Sequence, residues 1–252
     1  MNDTPPQFEH LPKAPIWEAV IDLRVRLDAA FDVARLKILQ EGFRQEYPEV
    51  EEQTLIQQRF GPVGAAEPRV EVQNLGLLGY FFKSADGKNI VQFRKDGFSF
   101  NRLHPYTSWG EVFPEAWRLW KIYATGSTPL ELSRIAVRYI NRIPLPGPRI
   151  EYAHYLTAAP SIPIGAPRHV AAFASRLVIV DPENRRAANV VQAMEPPNDP
   201  TVLNVVLDID AYEQDIADTS EESLIRRFEG LRNLKNQIFF GSLTPKALDL
   251  FR

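Results

Sequence analysis

The 252-residue chain contains no cysteine, which excludes disulfides, thiolate metal ligands and a cysteine nucleophile. It has only four histidines, His10, His104, His154 and His169, and their spacing matches no zinc motif. Glycine is sparse at 13 residues and forms no Gly-x-Gly-x-x-Gly or phosphate-loop pattern. A Gly-x-Ser-x-Gly elbow and a His-Glu-x-x-His pair are also missing. No apolar run approaches the roughly 20 residues that span a bilayer. Residues 1–11 are polar and carry no apolar signal region. Positive charge is not in excess: the net charge of −3 gives no global attraction for nucleic acid or an anionic membrane. These absences argue for a soluble cytoplasmic protein without cofactor or metal, with no nucleic-acid or membrane partner, and against an enzyme.

What is present is a strand of unusual charge. In residues 134–143, Ile135, Val137, Tyr139 and Ile143 alternate with a face carrying Arg134, Arg138 and Arg142. Three guanidiniums along one face need carboxylates, water or an anionic partner opposite them. Other elements surround it. Trp17, Ala19, Ile21, Leu23 and Val25 make one apolar face of a strand. Leu36, Leu39, Phe43 and Tyr47 predict a helix over 29–47, ended by Pro48. Weaker strand signals cover 55–60 and 69–75. A meander follows: a strand at 80–83, a turn at 85–88, a strand at 89–95 and the hairpin turn Asp96-Gly97. Its apolar face carries Phe93 and Phe100, and Gln92, Arg94, Ser99 and Asn101 fall on the other.

Ser108-Trp109-Gly110-Glu111 reads as a capping box opening a helix to about Tyr123, with Trp109, Val112, Phe113, Ala116 and Trp120 on one stripe. Phe93, Phe100, Trp109, Phe113 and Trp120 are thus expected in one core. The prolines from Pro144 to Pro167 predict a linker or crossing loop, excluded from any central strand. Strands at about 170–180, 187–194 and 201–210 come next, with turns at Pro182-Glu183-Asn184 and Pro196-Pro197-Asn198. Thr219 and Glu222 cap a helix with core positions Leu224, Phe228, Leu231, Leu234 and Ile238, and Thr244-Pro245 starts a last short helix.

Hairpins and meanders outnumber βαβ units, so the expected class is α+β: a mainly antiparallel sheet with helices packed on one face, in two meander-plus-helix halves. The expected division is a tail at 1–13, a first half at 14–148, a proline-rich linker or loop at 149–167 and a second half at 168–252.

The linear order of several segments resembles a known family. They are Ala14-Pro15-Ile16-x-Glu18-Ala19, Tyr47-Pro48, Val91-Gln92-Phe93 and Asp96-Gly97-Phe98-Ser99-Phe100-Asn101-Arg102-Leu103. Tyr106-x-x-Trp109, the Arg134–Ile143 stretch and Asn236-x-Ile238-Phe239 complete the set. The family is a sporadically distributed group of bacterial and archaeal proteins of about 250 residues whose function is not established. The resemblance implies an accessory or mobile gene, such as a defence or toxin-neutralising module, and carries no chemistry.

The candidate site residues for a ligand or partner are Arg134, Arg138, Tyr139, Asn141 and Arg142. In one reading Arg134 and Arg138 pair with carboxylates such as Glu18 and Asp22; in the other the face presents donors to an anion. Asp208 and Asp210, two apart on one strand face, can hold Mg²⁺ or perform acid–base work, or simply mark a strand end near a turn. Two functions follow. The first is a non-enzymatic interaction or regulatory protein, the partner or neutraliser of a neighbouring gene product, with another protein as partner. The second is a small-molecule binder of helix-grip type, its pocket between the 108–123 helix and the meander; a small anionic ligand is the other partner the arginine face allows.

Overall fold

A computed structural model of the protein describes residues 8–60, 70–147, 151–167, 170–195 and 202–252. Residues 1–7, His169 and the Pro196-Pro197-Asn198 turn lie outside the described residues. Among the described residues nine strands form one sheet: β1 (Ile16–Arg26), β2 (Glu49–Phe60), β3 (Val70–Lys83), β4 (Asn89–Arg94), β5 (Gly97–Leu103), β6 (Glu131–Pro146), β7 (Ala174–Asp181), β8 (Arg186–Met194) and β9 (Val202–Gln214). Their order is β2-β3-β4-β5-β1-β6-β9-β8-β7, with antiparallel pairing wherever the register is resolved. The helices are α1 (Arg35–Ile38), α2 (Trp109–Ser127), α3 (Glu221–Ser242) and α4 (Pro245–Leu248). The class is α+β with an antiparallel sheet. Outward from the β1–β6 pair, β5-β4-β3 on one side and β9-β8-β7 on the other run in the same relative order. Each of these runs is followed in the chain by a long helix, α2 or α3; β2 is extra.

Two compact units interleave along the chain. One comprises residues 23–101 and 108–133, the other 1–22, 102–107 and 134–252. In the first, α2 lies over an aromatic core. Phe93 meets Phe43, Phe82, Phe98 and Tyr123 at ring separations of 5.2–5.9 Å. Phe98 reaches on to Trp120, and Trp109, Phe113 and Trp117 stack in series along the helix. All five expected core aromatics are buried. The Tyr123 hydroxyl, pushed up by burial, donates to the Arg94 carbonyl at 2.7 Å. The opposite side of the hairpin joins Gln92, Arg94, Ser99 and Asn101 by side-chain hydrogen bonds, as the alternation requires. Gly97 is needed for close approach: a Cβ there would strike the Leu23 carbonyl oxygen.

In the other unit, α3 covers β9, burying Leu224, Phe228, Leu231 and Leu234 against Leu207, Ile209 and Ala211. Residues 8–13, expected to be loose, are held. Phe8 stacks on Phe240, Leu11 is buried, Lys13 donates to the Phe251 carbonyl and Glu9 pairs with Arg252.

Four further expectations are corrected. The helix over 29–47 is only α1 followed by a 3-10 turn, Leu39–Gly42. Asp28 and Asp32 accept from the amides two residues on, which is turn chemistry, and Gln40 bonds the Tyr47 and Pro48 carbonyls. Leu36, Phe43 and Tyr47 are nevertheless buried. Neither Ser108 nor Thr219 makes a capping-box bond: Ser108 is at the N-cap of α2 without a side-chain bond, and Ser220, not Thr219, precedes α3. The alternation of β1 breaks at its start, leaving Trp17 50% exposed.

Pro144 and Pro146 belong to β6, a central strand, opposite Asn204 and Val202. The reason is positional. The Arg142 amide donates to the Pro15 carbonyl, just before β1 begins. By regular alternation the nitrogens of 144 and 146 point the same way, past the end of β1, where no ladder bond is lost.

Candidate functional site

The arginine face of β6 is neutralised by carboxylates of β1, of β9 and of the residue that follows β8. Arg134 reaches Asp22 on β1 at 3.1 Å and Asp210 on β9 at 2.7 Å, with side-chain exposures of only 13%, 16% and 22%. Its guanidinium also lies over the Tyr212 ring, and Asn189 donates to Asp210. Arg138 forms a two-pronged pair with Asp208, whose hydrogen bonding holds it above its ordinary pKa. Arg142 bonds Glu195 at 2.6 Å and lies over Trp17, which in turn stacks on His104. Asp208 and Asp210 are therefore mid-strand arginine partners rather than strand-end turn residues. Among the described residues no group of three His, Asp or Glu side chains could hold a metal ion. Glu195 was missed because it stands beside Pro196, where the sequence signals only a turn.

Tyr139 and Asn141 lie on the opposite face of β6, buried, so the five candidate residues do not share one surface. Asn141 donates to the Leu207 and Tyr139 carbonyls. The Tyr139 hydroxyl, pushed well up by burial, is 3.1 Å from that of Tyr106. Over the Tyr139 ring, 3.9 Å from its centre, is the ammonium of Lys235 on α3. Burial, and behind it the Arg232 guanidinium, pushes Lys235 down to about 7; the ring face works in the opposite sense. Glu213 is 2% exposed between Arg186 and Arg227. A side chain at Gly230 on α3 would collide with the Arg186 guanidinium, so this glycine makes room for the pair.

A third feature carries no charged cluster at all. β7 ends the sheet order, and Leu177, Val178, Ile179 and Val180 are exposed by 52%, 56%, 37% and 64%. Four consecutive apolar residues read in sequence as a strand buried on both faces. Here α3 reaches β8 and β9, and among the described residues β7 is left open on both faces and along one edge. At the far edge, β2 carries exposed Glu49, Glu51 and Glu52, the usual protection of an edge strand. β7 has no such guard.

No helix among the described residues is long and apolar enough to cross a membrane. No protein-family model matches the chain, and no curated protein matches it.

Two outcomes test these placements. Arg134→Met removes the cation that Asp22 and Asp210 share and should lower stability by about 1–3 kcal/mol. Arg138→Met, at a pair with one partner half exposed, should cost less than about 1 kcal/mol. Urea unfolding midpoints check the ranking; equal losses would contradict it. Lys235 sets a pH dependence. The unfolded chain keeps this proton up to about 10.5 and the fold releases it near 7. The fold then binds fewer protons between those values, so the lysine's cost is absent above about 10.5, grows as pH falls through the window and levels off below 7. Lys235→Met should raise the melting temperature at pH 7 by several degrees and much less at pH 10. An equal gain at both would show that the lysine stays charged in the fold.

Proposed function

We propose that this chain is a non-enzymatic interaction protein whose docking element is the free edge of β7, which receives a strand from another polypeptide. The observation that carries this reading is the run Leu177–Val180, exposed on both faces of an edge strand. Strand addition uses main-chain hydrogen bonds for affinity and alternating side chains for selectivity, and an exposed apolar edge is the feature that supports it. The paired arginine face argues in the same direction: Arg134, Arg138 and Arg142 already have carboxylate partners, so an anionic ligand would have to displace them. The ring-to-ring packing of Phe93, Phe98, Trp120 and Tyr123 favours a filled layer beneath α2 over a helix-grip pocket. Regulating or neutralising a neighbouring gene product, in a defence or mobile module, is the role we assign to such a protein.

The test is a comparison of captured proteins from the native host between the wild type and Val178→Lys. This substitution puts a charge on the exposed strand without touching the core. The reading expects unchanged melting and loss of specifically captured chains. Identical capture by both proteins would refute it.

A further inference from the structure

Backbone geometry selects the kind of strand that fits the β7 edge. The Phe173 carbonyl accepts from the Met194 amide at 3.0 Å, and β7 pairs with β8 without a register shift from Ala174↔Ala193 to Asp181↔Arg186. In an antiparallel ladder the hydrogen-bonding groups alternate sides. The odd-numbered residues of β7 therefore bond β8, and Ala174, Arg176, Val178 and Val180 turn their amides and carbonyls outward. The α3-side face of the edge carries Leu177 and Ile179, and the other carries Val178 and Val180. Charge is confined to the ends, Arg176 towards the start and Asp181 at the finish.

A matching strand must be apolar on both faces, offer its own outward groups, and bring no positive charge beside Arg176. β7 itself, run antiparallel, meets each condition. We infer that the occupant of this edge is the β7 strand of a second copy of the chain, paired about a two-fold axis through Val178. This rests on the reading of β7 as a docking edge. Such an axis lies perpendicular to the sheet, so each residue faces one of the same parity, and Val178 is opposite its own counterpart. Arg176 then lies opposite Val180 of the second copy, with Leu177 opposite Ile179 and Ser175 opposite Asp181. Every outward group from Arg176 to Val180 finds a partner, and the two arginines stand at opposite ends of the ladder. A parallel arrangement would instead put Arg176 beside Arg176 and Asp181 beside Asp181, which is repulsive. The two-fold pairing uses the β7 edge of both copies, which closes the assembly along this edge at two chains.

The absence of native cysteine makes the register directly readable. Across the axis, residues at 178 stand about 5.5 Å apart at Cα, within disulfide reach of up to about 6.8 Å. Residues at 180 are about 14 Å apart. Mild oxidation should convert Val178→Cys to a covalent dimer rapidly and Val180→Cys slowly or not at all. Sedimentation of the wild type should show a monomer–dimer equilibrium that Val178→Lys shifts to monomer. Equal cross-linking of the two cysteine variants, or faster cross-linking at 180, would overturn the register. A wild type that stays monomeric at every concentration would overturn the second copy as occupant. In that last case the docking-edge reading survives if Val178→Lys still loses captured host proteins, and falls if it does not.

Discussion

Each backbone amide and carbonyl in a sheet must find a partner, and the edges are where that requirement is hardest to meet. Much of this protein's arrangement follows from it. β6 can carry Pro144 and Pro146 because β1 begins only at Ile16, so the nitrogens that lack hydrogen face no strand. β2 ends the sheet on one side with exposed glutamates, one of them held by Lys83. β7 ends it on the other with an unguarded apolar run. The same rule that tolerates prolines in one place makes the other an unfinished ladder.

Charge inside the sheet is handled by local pairing. On one face Arg134 ties β1, β6 and β9 together through Asp22 and Asp210. On the other, Glu213 is buried between arginines from β8 and α3, with Gly230 giving the space. Such pairs gain little over apolar packing, but removing one member leaves an uncompensated charge. They fix which residues lie opposite each other across the strands. Lys235 is the exception, a buried ammonium against an aromatic ring, and its cost falls on stability at neutral pH.

The elements with clean periodicity were legible from sequence: the aromatic stripe of α2, the cap at Thr244 and the β4–β5 hairpin, although its two-residue turn is Lys95-Asp96, one residue earlier than Asp96-Gly97, with Gly97 opening β5. The 29–47 region was not, because apolar spacing gave the correct buried residues, Leu36, Phe43 and Tyr47, while the turn chemistry of Asp28 and Asp32 decided the backbone. The carboxylate pairing of the arginines was readable in kind. Asp22 is a partner the sequence offers, but the pairing of Asp208 and Asp210 with the arginines is not legible, because strand register between β6 and β9 is not encoded locally. The strand at Leu177–Val180 was placed by sequence, but its position in the sheet was not. A continuous apolar run signals a buried strand, and only the sheet order reveals that it lies at an edge.

The claim that β7 pairs with the β7 strand of a second copy is tested most directly by residue-resolved amide exchange across protein concentration. The amides of Arg176, Val178 and Val180 should exchange rapidly in dilute protein and become protected at high concentration, while those of Leu177 and Ile179, bonded to β8, stay protected throughout. If Arg176, Val178 and Val180 exchange equally fast at every concentration, self-pairing along this edge does not occur.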